Sequence, residues 1–261
     1  MTRGDDELNI WERPEPGERR ARLTRGAIAQ AALRLADREG FAAVSMRRLA
    51  AELGTGTMTL YRYVRTKDEL LALMDDALMA ESLAPPEELA VDWRAALSAV
   101  ARGTRAALLR HPWALSAMSA TVPGPNAWRH FEQSLAALAG TGLDAAHKFE
   151  LLSLVDDYVF GNALHSAEAA VRLAIAAKDP GFVQAQVTSG LERLRGGDFP
   201  HMAALLGVGG AAAPPPAETP GPVLDEQRLA EQFERGLGAL LDGAARLMGL
   251  EAGGREGGTA E

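Results

Sequence analysis

The turn Gly54-Thr55-Gly56 lies between two short apolar-periodic segments, and it restricts the possible folds of this chain more than any other stretch. Before it, Met46, Leu49, Ala50 and Leu53 recur at the spacing of one helical face; Ser45 is placed to cap that helix and Gly54 to end it in a left-handed conformation. After it, Thr57 can cap a second helix over residues 58–63. Helix, short glycine-containing turn and helix is the helix-turn-helix arrangement, whose second helix enters the DNA major groove.

The residue types suit that task. Thr57 and Thr59 are short enough to approach the groove floor, where a hydroxyl can bond a base and a methyl can meet a thymine methyl. Tyr61, Arg62, Tyr63 and Lys67 carry donors long enough to reach phosphate, and Ser45, Arg47 and Arg48 are further candidates from the preceding helix. Any one of them is also what a solvated surface carries, so the reading rests on the combination.

Net charge taken alone argues against nucleic acid, since 27 Lys and Arg face 35 Asp and Glu, for −8 overall. The distribution reverses that inference. Residues 19–67 hold eleven basic residues (Arg19, Arg20, Arg22, Arg25, Arg34, Arg38, Arg47, Arg48, Arg62, Arg65 and Lys67) against Asp37, Glu39 and Glu52. A basic head on an acidic body is the footprint of a protein that meets DNA with one end.

Residues 1–22 are polar and interrupted by Pro14, Pro16 and Gly17, which predicts a mobile arm. Arg19, Arg20 and Arg22 in it can follow a minor groove or stay solvated, and both readings stand. The head, residues 23–67, opens with a helix from about Thr24 to Glu39, burying Ile28, Ala31, Ala32 and Leu35 with Phe41 beyond it. From about Lys67 a fourth helix should link head to body until Pro85-Pro86 breaks it.

The body, residues 68–250, shows helical patterns over 93–111, from near Asn126, over 144–177 and over 225–250. Leu97, Val100, Ala101, Thr104, Leu108 and Leu109 should face inward on the first of these. Residues 207–223 are a Pro/Gly/Ala linker, and 251–261 a tail expected to be disordered. No alternating β-branched pattern occurs, so the fold is expected to be all-α, a three-helix head plus a helical ligand-binding and dimerisation body. The apolar helices near 144–177 and 225–250 suit a four-helix homodimer interface, two from each subunit.

The run S-M-R-R-L-A-A-E-L-G-T-G-T-M-T-L-Y-R-Y-V-R-T-K-D-E-L-L resembles the DNA-binding head of TetR-family (tetracycline-repressor-like) transcription regulators. In that family L-Y-x-Y/H-V/F-x-x-K-x-x-L closes the recognition helix and opens the connecting helix. The resemblance implies phosphate contacts for Tyr61 and Lys67, and operator reading for Arg47, Thr57, Thr59 and Arg62. More weakly, H-P-W, G-P-N and D-D-Y-V-F-G-N-A-L resemble the tetracycline-repressor type of C-terminal domain, so that the likeness spans roughly residues 23–249. Relatives that recognise tetracycline hold its magnesium chelate through a loop histidine. The corresponding residues, about 119–123, contain none, which puts that effector in doubt.

Trp113, Met118, Asn126, Trp128, Phe131, Asp156, Tyr158, Asn162 and His165 are candidates to line a mostly apolar effector pocket with a few polar contacts, although aromatics at helical spacing also build plain core. Asp156 and Asp157 inside an apolar helix are anomalous, because at least one must face solvent, a cavity or a partner. There is no cysteine, His111, His130, His147, His165 and His201 are scattered, and neither H-E-x-x-H, a phosphate-cradling glycine loop nor G-x-S-x-G occurs. No metal, cofactor or catalysis is therefore expected. The first eighteen residues lack a signal-peptide core and no stretch of eighteen apolar residues follows, pointing to the cytoplasm, at the nucleoid, without a membrane partner. The expected function is a homodimeric repressor released from a palindromic operator by a small hydrophobic effector. Its rivals are a helical sequestering module without operator function and, last, a hydrolase built on Asp156, Asp157 and His165.

Overall fold

A computed structural model of the chain describes residues 8–16, 23–90, 92–117, 122–208 and 226–250. Regular structure among the described residues is entirely helical, and the fold is all-α. The chain divides into two compact units, residues 1–164 with 234–261, and residues 165–233.

In the first unit, α1 (Arg25–Glu39) begins at Thr24, whose hydroxyl accepts the Ala27 N–H at 3.0 Å, and buries Ile28, Ala31, Ala32, Leu33 and Leu35. α2 (Met46–Glu52) is capped by Ser45, which accepts the Arg48 N–H, and the turn after it passes through Gly54 at φ 63°, where a side chain would be strained. α3 (Thr57–Tyr61) starts one residue earlier than its pattern predicts, because Gly56 takes the extended cap position and Thr57 is already helical. Five residues cannot hold a helix by themselves. Leu60 and Val64 anchor α3, both fully buried in the core that α1 and α2 build.

α4 (Lys67–Ser82) is capped by Thr66, and Asp68 and Glu69 in its first turn complement the helix dipole. Leu70, Leu73 and Met74 complete the head core, while the helix runs on to pack against α6 (Trp93–Arg110) and α8 (Pro125–Ala137). Between them lie the short helices α5 (Pro86–Leu89) and α7 (Ala114–Ala117). Leu97, Val100, Ala101, Thr104 and Leu108 of α6 are buried as their spacing predicts. The cap position of α8 is Gly124 rather than Asn126, and its free N–H groups are satisfied from another helix: the Asp76 carboxylate of α4 accepts the Asn126 N–H at 2.7 Å and the Ala127 N–H at 3.3 Å.

α9 (Ala145–Lys178) and α12 (Glu226–Met248) match the two apolar helices expected in the body. Within the first unit, α9 buries Leu151, Leu152, Val155, Val159 and Ala163, and leaves Leu154, Phe160 and Leu164 exposed. α12 buries Leu237, Leu241, Ala244 and Ala245, and is tied to α6 by Arg94 with Asp242 at 2.7 Å and by a two-pronged Arg102–Glu234 pair at 2.8 and 2.7 Å. The second unit contains the rest of α9, then α10 (Pro180–Arg195) and α11 (Pro200–Leu205), which pack together, and the start of α12. α10 and α11 were not foreseen, yet α10 carries a sequence start signal in Asp179-Pro180: the Asp179 carboxylate accepts the Phe182 N–H at 2.9 Å.

The expectation of a mobile arm fails for residues 8–16. Ile10 is 1% exposed in the head core, and the Arg25 guanidinium of α1 donates to the carbonyls of Ile10 at 2.8 Å and Arg13 at 2.9 Å. Arg19, Arg20 and Arg22, most of the 207–223 linker and the tail lie outside the described residues.

Candidate DNA interface and body cavity

On the head, the candidate DNA contacts lie on α2, on α3 and at the start of α4. Thr57 and Thr59 are half-buried on α3, whereas Tyr61 and Arg62 at its end, and Arg47 and Arg48 on α2, are exposed. Arg48 is engaged by Glu39. Arg47 and Arg62 form no ion pair among the described residues, which leaves their guanidinium groups available for phosphate or base edges. Lys67 opens α4 with its ammonium 5.3 Å from the Phe41 ring centre, a cation–π contact that steadies the side chain while leaving it exposed. Ser45 spends its hydroxyl on capping α2.

Tyr63 behaves differently from its neighbours. At 6% exposure its ring packs in the head core and its carbonyl accepts from Arg25, so it holds α3 in place rather than extending the interface. Met58, which the motif does not single out, is 79% exposed between the two threonines. An unburied methionine at the N-terminal end of a recognition helix is suited to thymine methyl groups. Its exposure could have been found from the helical wheel, because position 58 falls opposite Leu60 and Val64.

The nine pocket candidates scatter. Phe131 and Asp156 alone line a common cavity, joined by Leu97, Val100, Ala101, Thr104, His130, Ser134, Leu152 and Val155 from α6, α8 and α9. Trp113 packs on the head instead: it stacks on Phe41 at 5.7 Å and donates its indole N–H to Asp37 at 2.8 Å. Asn126 belongs to the Asp76 clasp, Trp128 is 64% exposed, Tyr158 lies against Gly236 of α12, and the Asn162 oxygen accepts from Arg105 at 2.7 Å. His165 lies in the second unit, with an exposed side chain, and Met118 is outside the described residues.

The cavity holds about 30 Å³, room for roughly one water molecule. Its polar wall has a defined hydrogen-bond pattern. Thr104 donates its hydroxyl proton to the Val100 carbonyl at 3.0 Å, so at 2.8 Å it accepts from His130 Nε2, which fixes the protonated nitrogen of that ring. Burial pushes the His130 pKa down, favouring the neutral form. Asp156 is pushed up to about 6, first by desolvation and then by the charge of Asp157. By accessible surface Asp156 is nonetheless an exposed residue in the single chain.

A helix-turn-helix head joined by one continuous helix to a bundle with a small internal cavity defines a DNA-binding regulator of transcription. The family described as "Bacterial regulatory proteins, tetR family" matches residues 20–74, and "Tetracyclin repressor-like, C-terminal domain" matches residues 85–248. The chain therefore belongs to the TetR family. It is 38% identical over 251 residues to the HTH-type transcriptional repressor DrrR1 of Streptomyces coeruleorubidus, covering 94% of this chain and 86% of that protein. It is 38% identical over 176 residues to an HTH-type transcriptional regulator of Saccharopolyspora erythraea, covering 64% of this chain and 74% of that one. Among solved structures, the Streptomyces coelicolor TetR family protein ActR in complex with actinorhodin matches with a TM-score of 0.61 at 27% identity, covering 88% of this chain and all of that one.

Proposed function

We propose that the chain represses transcription as a homodimer on a palindromic operator and is released when a small, mostly apolar effector enters the cavity between α6, α8 and α9. The observation that carries this reading is the path of α4. Its first residue, Lys67, adjoins the recognition helix, its middle packs on α8, which lines the cavity, and the two ends of the path lie within one compact unit. An effector that widens the cavity by displacing α8 or α6 moves a helix on which α4 rests. ActR, with its bound actinorhodin, shows that a relative of this fold takes a small molecule.

Thr57, Thr59, Arg62 and Met58 read bases in this proposal, with Arg47, Tyr61 and Lys67 on phosphates. Dimerisation falls to the exposed Leu154, Phe160 and Leu164 of α9, of which Phe160 and Leu164 stand one turn apart on the same face. No helix among the described residues is long and apolar enough to cross a membrane, in keeping with action on nucleoid DNA in the cytoplasm.

The test begins with the full-length protein and a random-sequence duplex pool. Enrichment of a two-fold symmetric site, bound as a dimer, is the expected outcome; failure to enrich any duplex would reduce the protein to a sequestering module. Compounds are then screened for thermal stabilisation, and hits titrated with and without the enriched duplex. A hit that binds with the same affinity in both titrations is not an inducer, because linkage requires duplex and effector to weaken each other equally.

A further inference from the structure

The segment before the head does more than lead into it. Asn9 caps a turn by accepting the N–H groups of Trp11 at 2.9 Å and Glu12 at 3.2 Å, which presents Ile10, Trp11 and Arg13 to three different neighbours. Ile10 fills the head core. Arg13, its side chain 5% exposed, places both guanidinium prongs on the Glu69 carboxylate of α4 at 2.6 and 2.9 Å. Glu69 also accepts the Arg65 N–H at 2.7 Å, in the turn that follows the recognition helix. Burial works against the Glu69 carboxylate, but Arg13 and the Arg65 N–H outweigh it and its pKa is lowered, as expected of a retained ion pair.

Trp11 reaches the other way. Its indole N–H donates to the Val122 carbonyl at 3.1 Å, just ahead of α8. A methyl group on Gly124 would fall 2.6 Å from the Trp11 ring and collide with the Asp76 carboxylate, so the indole, the N-terminus of α8 and α4 meet where only a hydrogen fits. The same α8 lines the cavity through His130, Phe131 and Ser134. The segment thus bridges the start of the cavity-lining helix and the foot of the recognition helix, alongside α4.

We propose that Asn9–Pro16 is a positioning strap through which the N-terminus of α8 sets the placement of the recognition helix on DNA. Arg13 and Trp11 are its two hooks, and neither touches DNA. A flexible basic arm would instead leave its arginine free for a groove, whereas Arg13 is buried and bound at both prongs. The proposal deepens the DNA-binding reading and rests on it.

The test uses the full chain and the duplex that the wild type enriches from a random pool. If the wild type enriches none, the DNA-binding reading fails and the strap with it; the comparisons that follow judge the strap alone. Arg13→Glu and Glu69→Arg should each weaken binding roughly tenfold, within the usual range of coupling between sites, and the charge-swapped double variant, which restores the ion pair but not the acceptor for the Arg65 N–H, should bind more tightly than either single variant without reaching wild type. Trp11→Phe keeps an aromatic ring but loses the bond to Val122 and the part of the indole beside Gly124; it should weaken binding while the melting temperature holds. The salt dependence of binding should be unchanged in all of them, because no phosphate contact is lost. Wild-type affinity in Trp11→Phe together with Arg13→Glu would overturn the strap. So would a reduced salt slope in Arg13→Glu, which would make that arginine a DNA contact, and so would losses that merely track the fraction unfolded.

Discussion

At the scale of residues, the candidate interface separates into groups that differ in what they cost when removed. Thr57→Ala and Arg62→Ala should relax preference at individual base pairs by about 1–3 kcal/mol while leaving random DNA nearly unaffected. Lys67→Ala should weaken both kinds of DNA and lower the slope of log affinity against log salt by about 0.9, the share of one phosphate. Fluorescence anisotropy across a salt series distinguishes these, and equal losses on selected and random duplexes for Thr57→Ala would remove it from the base-reading set. In the body, Asp156 has a pH signature of its own. Its folded pKa, about 6, lies above the ordinary carboxylate value, so its contribution is most favourable at low pH and is lost as pH rises through 6. Asp156→Asn should therefore raise the melting temperature relative to wild type more at pH 7.5 than at pH 5. His130, with its pKa lowered by burial, works in the opposite sense, favouring the fold at higher pH and losing that contribution on acidification. It is common to wild type and variant, so the difference between them isolates Asp156.

At the scale of elements, the least self-sufficient piece is the most important one. α3 has five residues and no side-chain cap, and Leu60 and Val64 hold it from below. Leu60→Ala should cost about 2–5 kcal/mol and release the recognition helix, seen as lost operator binding and a lowered unfolding midpoint. Asp76→Ala should cost about 1 kcal/mol or more, since it leaves the first N–H groups of α8 without their acceptor. The head was legible in the sequence because its signals are local: caps, a glycine turn and apolar residues three and four apart determine α1 to α4 nearly to the residue. The pocket was less legible because composition does not tell which turn of a helix faces which neighbour. Trp113 was expected in the body cavity and lies on Phe41 of the head, since its indole finds Asp37 there. Thr104 was expected to face inward, but its bond to His130 joins residues 26 positions apart, which periodicity along one helix cannot reveal. Residues 8–16 escaped for a similar reason: Pro14 and Pro16 rule out a helix, while Ile10, Arg13 and Arg25 find their partners only across the fold.

At the scale of the whole molecule, the exposed Phe160 and Leu164, one turn apart on α9, predict that Phe160→Glu yields a folded monomer, detected as a halved mass in sedimentation with an unchanged helical spectrum. Leu241→Glu should instead unfold the protein, because that side chain is fully buried within its own subunit. The small size of the cavity bears on kinetics. Ligand sites commonly occupy about 300–1,000 Å³, an order of magnitude more than the 30 Å³ enclosed by α6, α8 and α9. An effector cannot enter faster than the bundle opens. Its observed association rate should therefore climb with concentration at first and then level off at the opening rate, whatever the compound. Chemically different inducers that share one plateau in stopped-flow fluorescence would be reporting the breathing of this bundle, and inducer chemistry would then act mainly through the departure rate.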